Sequence, residues 1–296
     1  AFSPDARWVA TVSASWGQSG EVKIWDARTG QMIGPVLPHA DCVSAVRIGA
    51  DGATLLTASA DQTARLWNLS GEQTRLPQLT HPWDQVAAQT NSIRAPERGF
   101  AFSQLELDTL HLQSDLGQAT LSPDGRRIVT VCGNGTARLW DGATGEPLSP
   151  FLTLNAALYS AAFSADGNQF VTLGSRIKKA AESVACVWST ATFQPVAPII
   201  RHASRLRAAE FSPDGRRLAL RSDREVLLFD AQTGQPEPWP VKWEQPVVHI
   251  GFSRDGRWVA VHSGRCDPQT GIVEHSTTRI YHAATGEPST PRLEAG

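Results

Sequence analysis

No run in this chain is apolar for long enough to cross a bilayer, and no secretory signal opens it; it begins at Ala1-Phe2-Ser3-Pro4 without a methionine. Cysteines are few and scattered. Cys42, Cys132, Cys186 and Cys266 show no paired spacing, which argues against a disulfide framework and for an intracellular, reducing setting. Basic clusters are lacking too: the formal net charge is −2 and Lys and Arg are dispersed, with Arg126-Arg127 and Arg216-Arg217 reading as solvated flanks of turns. That distribution gives no support for a nucleic-acid surface. Nor does the sequence hold a phosphate-binding glycine loop, a Gly-x-Ser-x-Gly elbow or a Cys-x-x-Cys pair. These absences point away from an enzyme, a cofactor, a metal and a membrane anchor.

What the chain does contain is repetition. A turn of the type Phe-Ser-Pro-Asp-Gly recurs at Phe2 to Asp5, Ile48 to Gly52, Leu121 to Gly125, Phe163 to Gly167, Phe211 to Gly215 and Phe252 to Gly256. Asp-Gly suits a tight reversal, because glycine accepts positive φ and the aspartate bonds its own backbone. Each turn is followed by a strand-like run ending in an aromatic and usually a polar residue: Trp25-Asp26, Trp67-Asn68, Trp140-Asp141, Trp188-Ser189, Phe229-Asp230 and Tyr281-His282. Intervals between these aromatics are 42, 73, 48, 41 and 52 residues. A Thr-Gly turn often follows, as at Thr29-Gly30, Thr144-Gly145, Thr233-Gly234 and Thr285-Gly286. The most complete unit starts at His39; its runs Ala53 to Ser59 and Thr63 to Leu69 flank a polar turn at Asp61-Gln62 and predict a β-hairpin.

The period, the turn, the aromatic-Asp ending and a His about a dozen residues before the turn Asp (His39 to Asp51, His202 to Asp214) resemble the WD-repeat β-propellers. The resemblance implies an all-β fold of four-stranded antiparallel blades, strands a to d, closed into a ring. Six units are clear, at about 1–38, 39–80, 112–150, 151–200, 201–241 and 242–296, in one propeller domain over 1–296. The first unit holds only the end of its strand a, so its N-terminus reads as truncated. Residues 81–111 read either as an insertion or as a degenerate seventh blade; a structureless loop of that length is uncommon in a compact domain. In the second unit the resemblance also implies a buried polar network joining His39, Thr57 or Ser59, Asp61 and Trp67. Other units depart from it: Leu112 stands for the His and Asn134 for the Asp in the third, and Phe229 for the Trp in the fifth, which predicts looser ties there.

The longest departures carry the functional expectation. They lie around Trp16, over Pro82 to His111, over Gly174 to Ser183 and over Ser263 to Thr277, the first, third and fourth read as extended b to c loops. In an up-and-down blade these b–c and d–a connections share one face, and loops on a rigid scaffold are where recognition evolves. Exposed aromatics and arginines dominate interface energies, which selects Trp16, Trp83, Asp84, Arg176, Lys178, Lys179 and Arg265 as partner contacts. The expectation is a non-enzymatic, cytoplasmic interaction scaffold: a monomeric domain in a longer signalling protein, binding a protein or peptide and neither nucleic acid nor membrane. Similar bacterial WD repeats accompany signalling domains such as Ser/Thr protein kinases. The alternative is an enzyme or metal-binding protein working at the channel mouth or the 263–277 loop, where His262, Cys266, Asp267, Glu274 and His275 lie close in sequence.

Overall fold

The computed structural model describes residues 1–12, 19–49, 52, 54–59, 61, 63–69, 75–80, 116–176, 179–239, 241–266, 273–290 and 293–294. Every regular element among them is a β-strand, and the strands form small antiparallel sheets of three or four strands in chain order, the architecture of WD-repeat blades. Two compact units divide the chain, Ala1–Ala161 and Ala162–Gly296.

The first unit contains three sheets. One comprises β1 (Trp8–Val12), β2 (Gly20–Asp26) and β3 (Met32–His39). The second comprises β4 (Val43–Ile48), β5 (Thr54–Ser59), β6 (Thr63–Asn68) and β7 (Arg75–Thr80), close to the predicted hairpin runs. The third comprises β8 (Leu116–Leu121), β9 (Arg127–Cys132), β10 (Thr136–Asp141) and β11 (Leu152–Thr153). Successive strand residues point to opposite faces, and β5 uses both. Leu55 packs with Ala10, Val22 and Ile24 of the first sheet, whereas Leu56 packs with Ala119, Ile128 and Trp140 of the third. Burial on two sides is why β5 and β9 read as near-continuous buried runs rather than as alternating ones. Each such leucine contributes about 1.5–3 kcal/mol of transfer free energy. The second and third sheets meet at β5 and β8. Residues 81–111, read as an insertion or a degenerate blade, lie outside the described residues.

The unit boundary falls inside β12 (Ala157–Phe163), the first strand of the fourth sheet, which continues with β13 (Gln169–Arg176), β14 (Lys179–Ser189) and β15 (Ile200–His202). The fifth sheet comprises β16 (Leu206–Phe211), β17 (Arg217–Ser222), β18 (Glu225–Asp230) and β19 (Val241–Lys242). The sixth comprises β20 (Val247–Phe252), β21 (Trp258–Cys266), β22 (Val273–His282) and β23 (Leu293–Glu294). Val226, Leu228, Trp239 and Trp243 of the fifth repeat pack against Val247, Val259, Val261 and Tyr281 of the sixth. On β21 the buried residues Val259, Val261 and Ser263 alternate with the half-buried Trp258, Ala260 and His262, so one face of this sheet is fully covered and the other partly.

Two expectations are corrected by strand register. The segments 174–183 and 263–277, read as loops, are largely strand. Gly174 pairs with Val184, Ser175 with Ser183 and, past a bulge, Arg176 with Lys179. Ser263 pairs with Thr277, Arg265 with Glu274 and Cys266 with Val273. Their polar, glycine-containing sequences hide the strand pattern, because they lack the apolar period by which a strand is read from sequence.

The turns repeat with side-chain detail. Ser122 Oγ donates to Asp124 Oδ1 at 2.6 Å and accepts the Arg127 N–H at 2.9 Å, and Gly125 has φ of 70°. The same Ser–Asp bond closes the turns at Ser3, Ser164, Ser212 and Ser253. At the c–d turns Asp26, Asp141 and Asp230 each cap two N–H groups, bonds that hold these carboxyls below the usual carboxylate range. Two residues take the glycine's left-handed place without being glycine: Ala6, at φ 57°, and Phe193, at φ 59°.

Candidate functional site

The second sheet holds a directed chain of hydrogen bonds. His39, at the end of β3, reaches Asp61 through Nδ1 at 3.2 Å and Thr57 Oγ1 through Nε2 at 2.7 Å. Trp67 Nε1 donates to the same Thr57 Oγ1 at 2.9 Å. Thr57 has one hydroxyl proton, which the short contact gives to His39 Nε2; Nδ1–H then donates to the Asp61 carboxylate, and the imidazole is neutral. Burial, and after it the nearby Arg65, lowers the His39 pKa in spite of Asp61, in keeping with that assignment. For Asp61 burial acts upward, but bonds from Thr63 and the Ala40 N–H, with His39 and Arg65, hold the carboxyl below its ordinary value. Arg65 clamps the site from outside, Nη2 on Asp61 Oδ2 at 3.1 Å and Nη1 on the Pro38 carbonyl at 2.7 Å. Of the two hydroxyls left open by sequence, Thr57 is the one that meets His39 and Trp67. Ser59 Oγ instead accepts the Asp61 N–H at 3.1 Å and donates to the Asp41 carbonyl. With every polar group engaged in ties between strands, this arrangement offers no vacant acid or base and works as a structural clamp.

Three other sheets keep part of it. Trp25 donates to Thr11 at 2.7 Å, Trp140 to Thr130 at 2.8 Å and Trp188 to Thr172 at 3.0 Å. The third repeat is thus tied by its indole despite the Asp-to-Asn replacement, and Asn134 Oδ1 still accepts from Thr136 N and Oγ1. Sequence reading missed the threonines outside the second unit. Their signal was present: the Thr stands two residues beyond the strand-b residue that pairs with the Trp, as Thr130 follows Ile128, the partner of Trp140.

Among the sequence-selected partner contacts, Trp16, Trp83, Asp84 and Lys178 lie outside the described residues, and for Lys179 and Arg265 the description extends only to their backbone places in β14 and β21. Arg176 ends β13. Its Nη1 lies 3.3 Å from both carboxylate oxygens of Glu182, and Arg201 Nη1 reaches the same carboxylate at 3.5 Å. Beside this cluster, in the fifth sheet, Arg207 grips Asp223 with Nε at 2.7 Å and Nη2 at 3.3 Å, and this guanidinium holds the Asp223 carboxyl below its usual range. His202 Nε2 meets Glu225 at 3.3 Å, and the Leu206 N–H donates to Ser183 Oγ at 3.1 Å. The b–c and d–a ends of the fourth and fifth sheets are thereby stitched into one surface. Arg201, Glu182 and Asp223 were not singled out from sequence, since Arg201 reaches the Glu182 carboxylate that holds Arg176 only through cross-strand register, such as Val184 opposite Arg201, and Asp223 is seen only in its contact with Arg207.

Chemistry of other kinds finds little purchase. His262 Nδ1 contacts Thr278 Oγ1 at 2.9 Å; the side chains of Cys266, Asp267, Glu274 and His275 lie outside the described residues. Among the described residues no group of three or more His, Cys, Asp or Glu side chains converges. Glu210 is pushed up by burial and accepts the Phe252 N–H at 3.1 Å, a bridge between the fifth and sixth sheets. A concavity of about 440 Å³ over the sixth sheet is lined by Trp258, Ala260, Ile280 and Phe252, with His249 at its edge and no paired acid and base. Burial raises the Cys186 thiol to about 12, which leaves it unreactive. No helix among the described residues is long and apolar enough to cross a membrane.

The sequence profile described as "WD domain, G-beta repeat" matches residues 32–68 and 109–141, the second and third repeats. Autophagy-related protein 16 of Arabidopsis thaliana is 26% identical over 170 residues, which is 53% of this chain and 33% of that protein. Human Apoptotic protease-activating factor 1 is 27% identical over 180 residues, 54% of this chain and 14% of its own length. A WD repeat-containing protein of Synechocystis, sll1491, is 27% identical over 146 residues, 44% of this chain and 40% of that one. The chain thus spans well under two thirds of the length of these relatives.

Proposed function

The chain is a WD-repeat protein, and from that premise we propose that it is a non-enzymatic scaffold for protein contacts, a cytoplasmic regulatory or targeting domain of a larger signalling protein. WD-repeat proteins generally act as interaction scaffolds, and relatives of this chain carry names from autophagy and apoptosis. The partner is a protein or peptide, met by a monomeric domain at the b–c and d–a ends of its sheets, with Arg176, Lys178, Lys179 and Arg265 among the contacts and Trp16, Trp83 and Asp84 on the neighbouring connections.

One observation carries this reading: the hairpins of the fourth and sixth sheets outgrow the others. Strands b and c have 6 residues each in the second, third and fifth sheets. In the fourth they have 8 and 11, and in the sixth 9 and 10. Two or three extra strand-b residues project a hairpin about 7–10 Å past its sheet, far enough to grip a partner. The test is affinity capture from lysate with the intact chain beside a version in which 176–182 and 263–277 are replaced by short turns. A protein retained by the first and released by the second, while both melt cooperatively, is the expected outcome. Identical retention by both versions, or none by either, sinks the reading.

A further inference from the structure

Charge is distributed unevenly between the two ends of the fourth and fifth sheets. At the b–c and d–a end stand Arg176, Arg201, Arg205, Arg207, Arg221 and Arg224. Against them the described side chains set four carboxylates, Glu182, Asp223, Glu225 and Glu244, an excess of two positive charges. The opposite end carries Asp166, Asp214, Asp230 and Glu237 against Arg216 and Arg217, an excess of two negative charges. A chain whose formal net charge is −2 thus turns one positive surface outward. The surface is ordered rather than a fringe of loose side chains. Glu182 holds both Arg176 and Arg201, Asp223 takes Arg207 in a two-pronged contact, and Arg221 Nη1 donates to the Val247 carbonyl. Arg201, Arg205 and Arg224 are exposed at its rim.

From this we infer that the surface docks an acidic polypeptide segment, its Asp or Glu carboxylates seated on the arginines at the junction of the fourth and fifth sheets. The inference rests on the scaffold reading and supplies the chemistry of the partner. Guanidinium forks match carboxylates in two-pronged geometry, as Arg207 and Asp223 already display, and pre-ordered arginines lose less freedom when a ligand arrives. Four interspersed carboxylates suit a partner with spaced charges; a duplex, with a phosphate every few ångströms, would meet repulsion at Glu182, Asp223, Glu225 and Glu244. Oppositely charged ends also orient an acidic partner as it approaches, an effect that falls away with salt.

The test uses the full chain and a fluorescein-labelled oligoglutamate peptide, followed by anisotropy at low and at physiological salt. Binding should weaken with salt. It should fall about tenfold or more in the triple reversal Arg201→Glu, Arg205→Glu, Arg224→Glu, since each exposed ionic contact is worth about 0.2–1 kcal/mol and reversal turns attraction into repulsion. Arg216→Glu with Arg254→Glu, exposed at the other end of the sheets, should leave it unchanged. Equal loss from both sets of reversals, or no binding at all, overturns the inference. So does a DNA duplex that binds as tightly as the peptide and is lost by the same triple reversal, which would make the surface a nucleic-acid site. Proteins captured through the hairpins and kept by the triple reversal would leave the scaffold reading standing without an acidic partner. Peptide binding lost on reversal, with nothing captured by the intact chain, would uphold the acidic chemistry and remove the scaffold reading.

Discussion

The second and fifth sheets solve the same problem with different materials. Both must hold strand c against strand b beneath a large aromatic. In the second, Trp67 sits opposite Leu55 and its N–H ends on Thr57, which continues to His39 and Asp61. In the fifth, Phe229 sits opposite Leu218, and the threonine's place is taken by Leu220. The sixth shares the fifth's lack of both Trp and Thr, with Tyr281 opposite Val259 and Val261 where a threonine would stand. Indole and threonine are thus exchanged together: four sheets have Trp with Thr, and two have neither. The reason is that a buried indole N–H needs an acceptor, and without the indole a threonine hydroxyl buried at that place on strand b loses its donor. Looseness does not follow from losing the network, because Leu218, Leu220 and Leu228 of the fifth sheet are each almost fully buried.

The sharpest way to break this comparison is Thr57→Val. It keeps the shape but strands both the Trp67 N–H and His39 Nε2, and should cost about 2–4 kcal/mol in urea unfolding, at 1–3 kcal/mol per unsatisfied buried group. A loss below about 1 kcal/mol would mean that the chain of bonds does not tie the sheet. The reverse change comes next. Leu220→Thr in the fifth sheet buries a hydroxyl and should cost about 1–3 kcal/mol. Adding Phe229→Trp should return about 1 kcal/mol of that, a coupling read from the double-mutant cycle. Strict additivity would sink the claim that the two positions are exchanged as a pair.

How much of this was legible in sequence depends on whether the signal was local. The turns, the aromatics and the six repeats were readable because Asp-Gly reversal and burial on two faces leave marks within a few residues. His39, Asp61 and Trp67 came from the resemblance. So did Thr57, with Ser59 as its alternative; the threonines of the other units did not, since an isolated Thr in a strand looks like ordinary β-propensity until its cross-strand partner is known. Arg176, Glu182 and Arg201 meet only through register, and the projecting hairpins lack the apolar period that marks a buried strand.

A smaller effect separates the repeats at their turns. Gly125, Gly167, Gly215 and Gly256 take positive φ freely, whereas Ala6 does so at φ 57°. The left-handed region costs a non-glycine residue about 1–2 kcal/mol, of which glycine's extra freedom in the unfolded chain takes back part. Ala6→Gly should therefore stabilise the first turn by about 0.5–1 kcal/mol, seen as a raised urea midpoint at unchanged slope. Destabilisation would show that the Ala6 methyl is used for packing.

The last difference between the second sheet and the fifth is pH. The chain from Trp67 through Thr57 to His39 needs a neutral imidazole, whereas Leu220 and Phe229 need nothing of the kind. Because the folded state depresses the His39 pKa, the unfolded chain binds a proton more readily once the pH drops below the ordinary histidine value of about 6.5. This contribution is complete above that value and is lost as the pH falls toward the folded pKa. Protonation would make Nε2 a donor and force the Thr57 hydroxyl toward its other acceptor, the Arg65 carbonyl at 3.4 Å. Asp61, also depressed, adds a second loss of the same sign at lower pH, below the unperturbed carboxylate value. Unfolding free energy should therefore decline from pH 7 to pH 5, and His39→Gln, weaker at pH 7, should show a shallower decline over that interval. Equal slopes in the two proteins would place the acid sensitivity in other groups and leave His39 a packing residue.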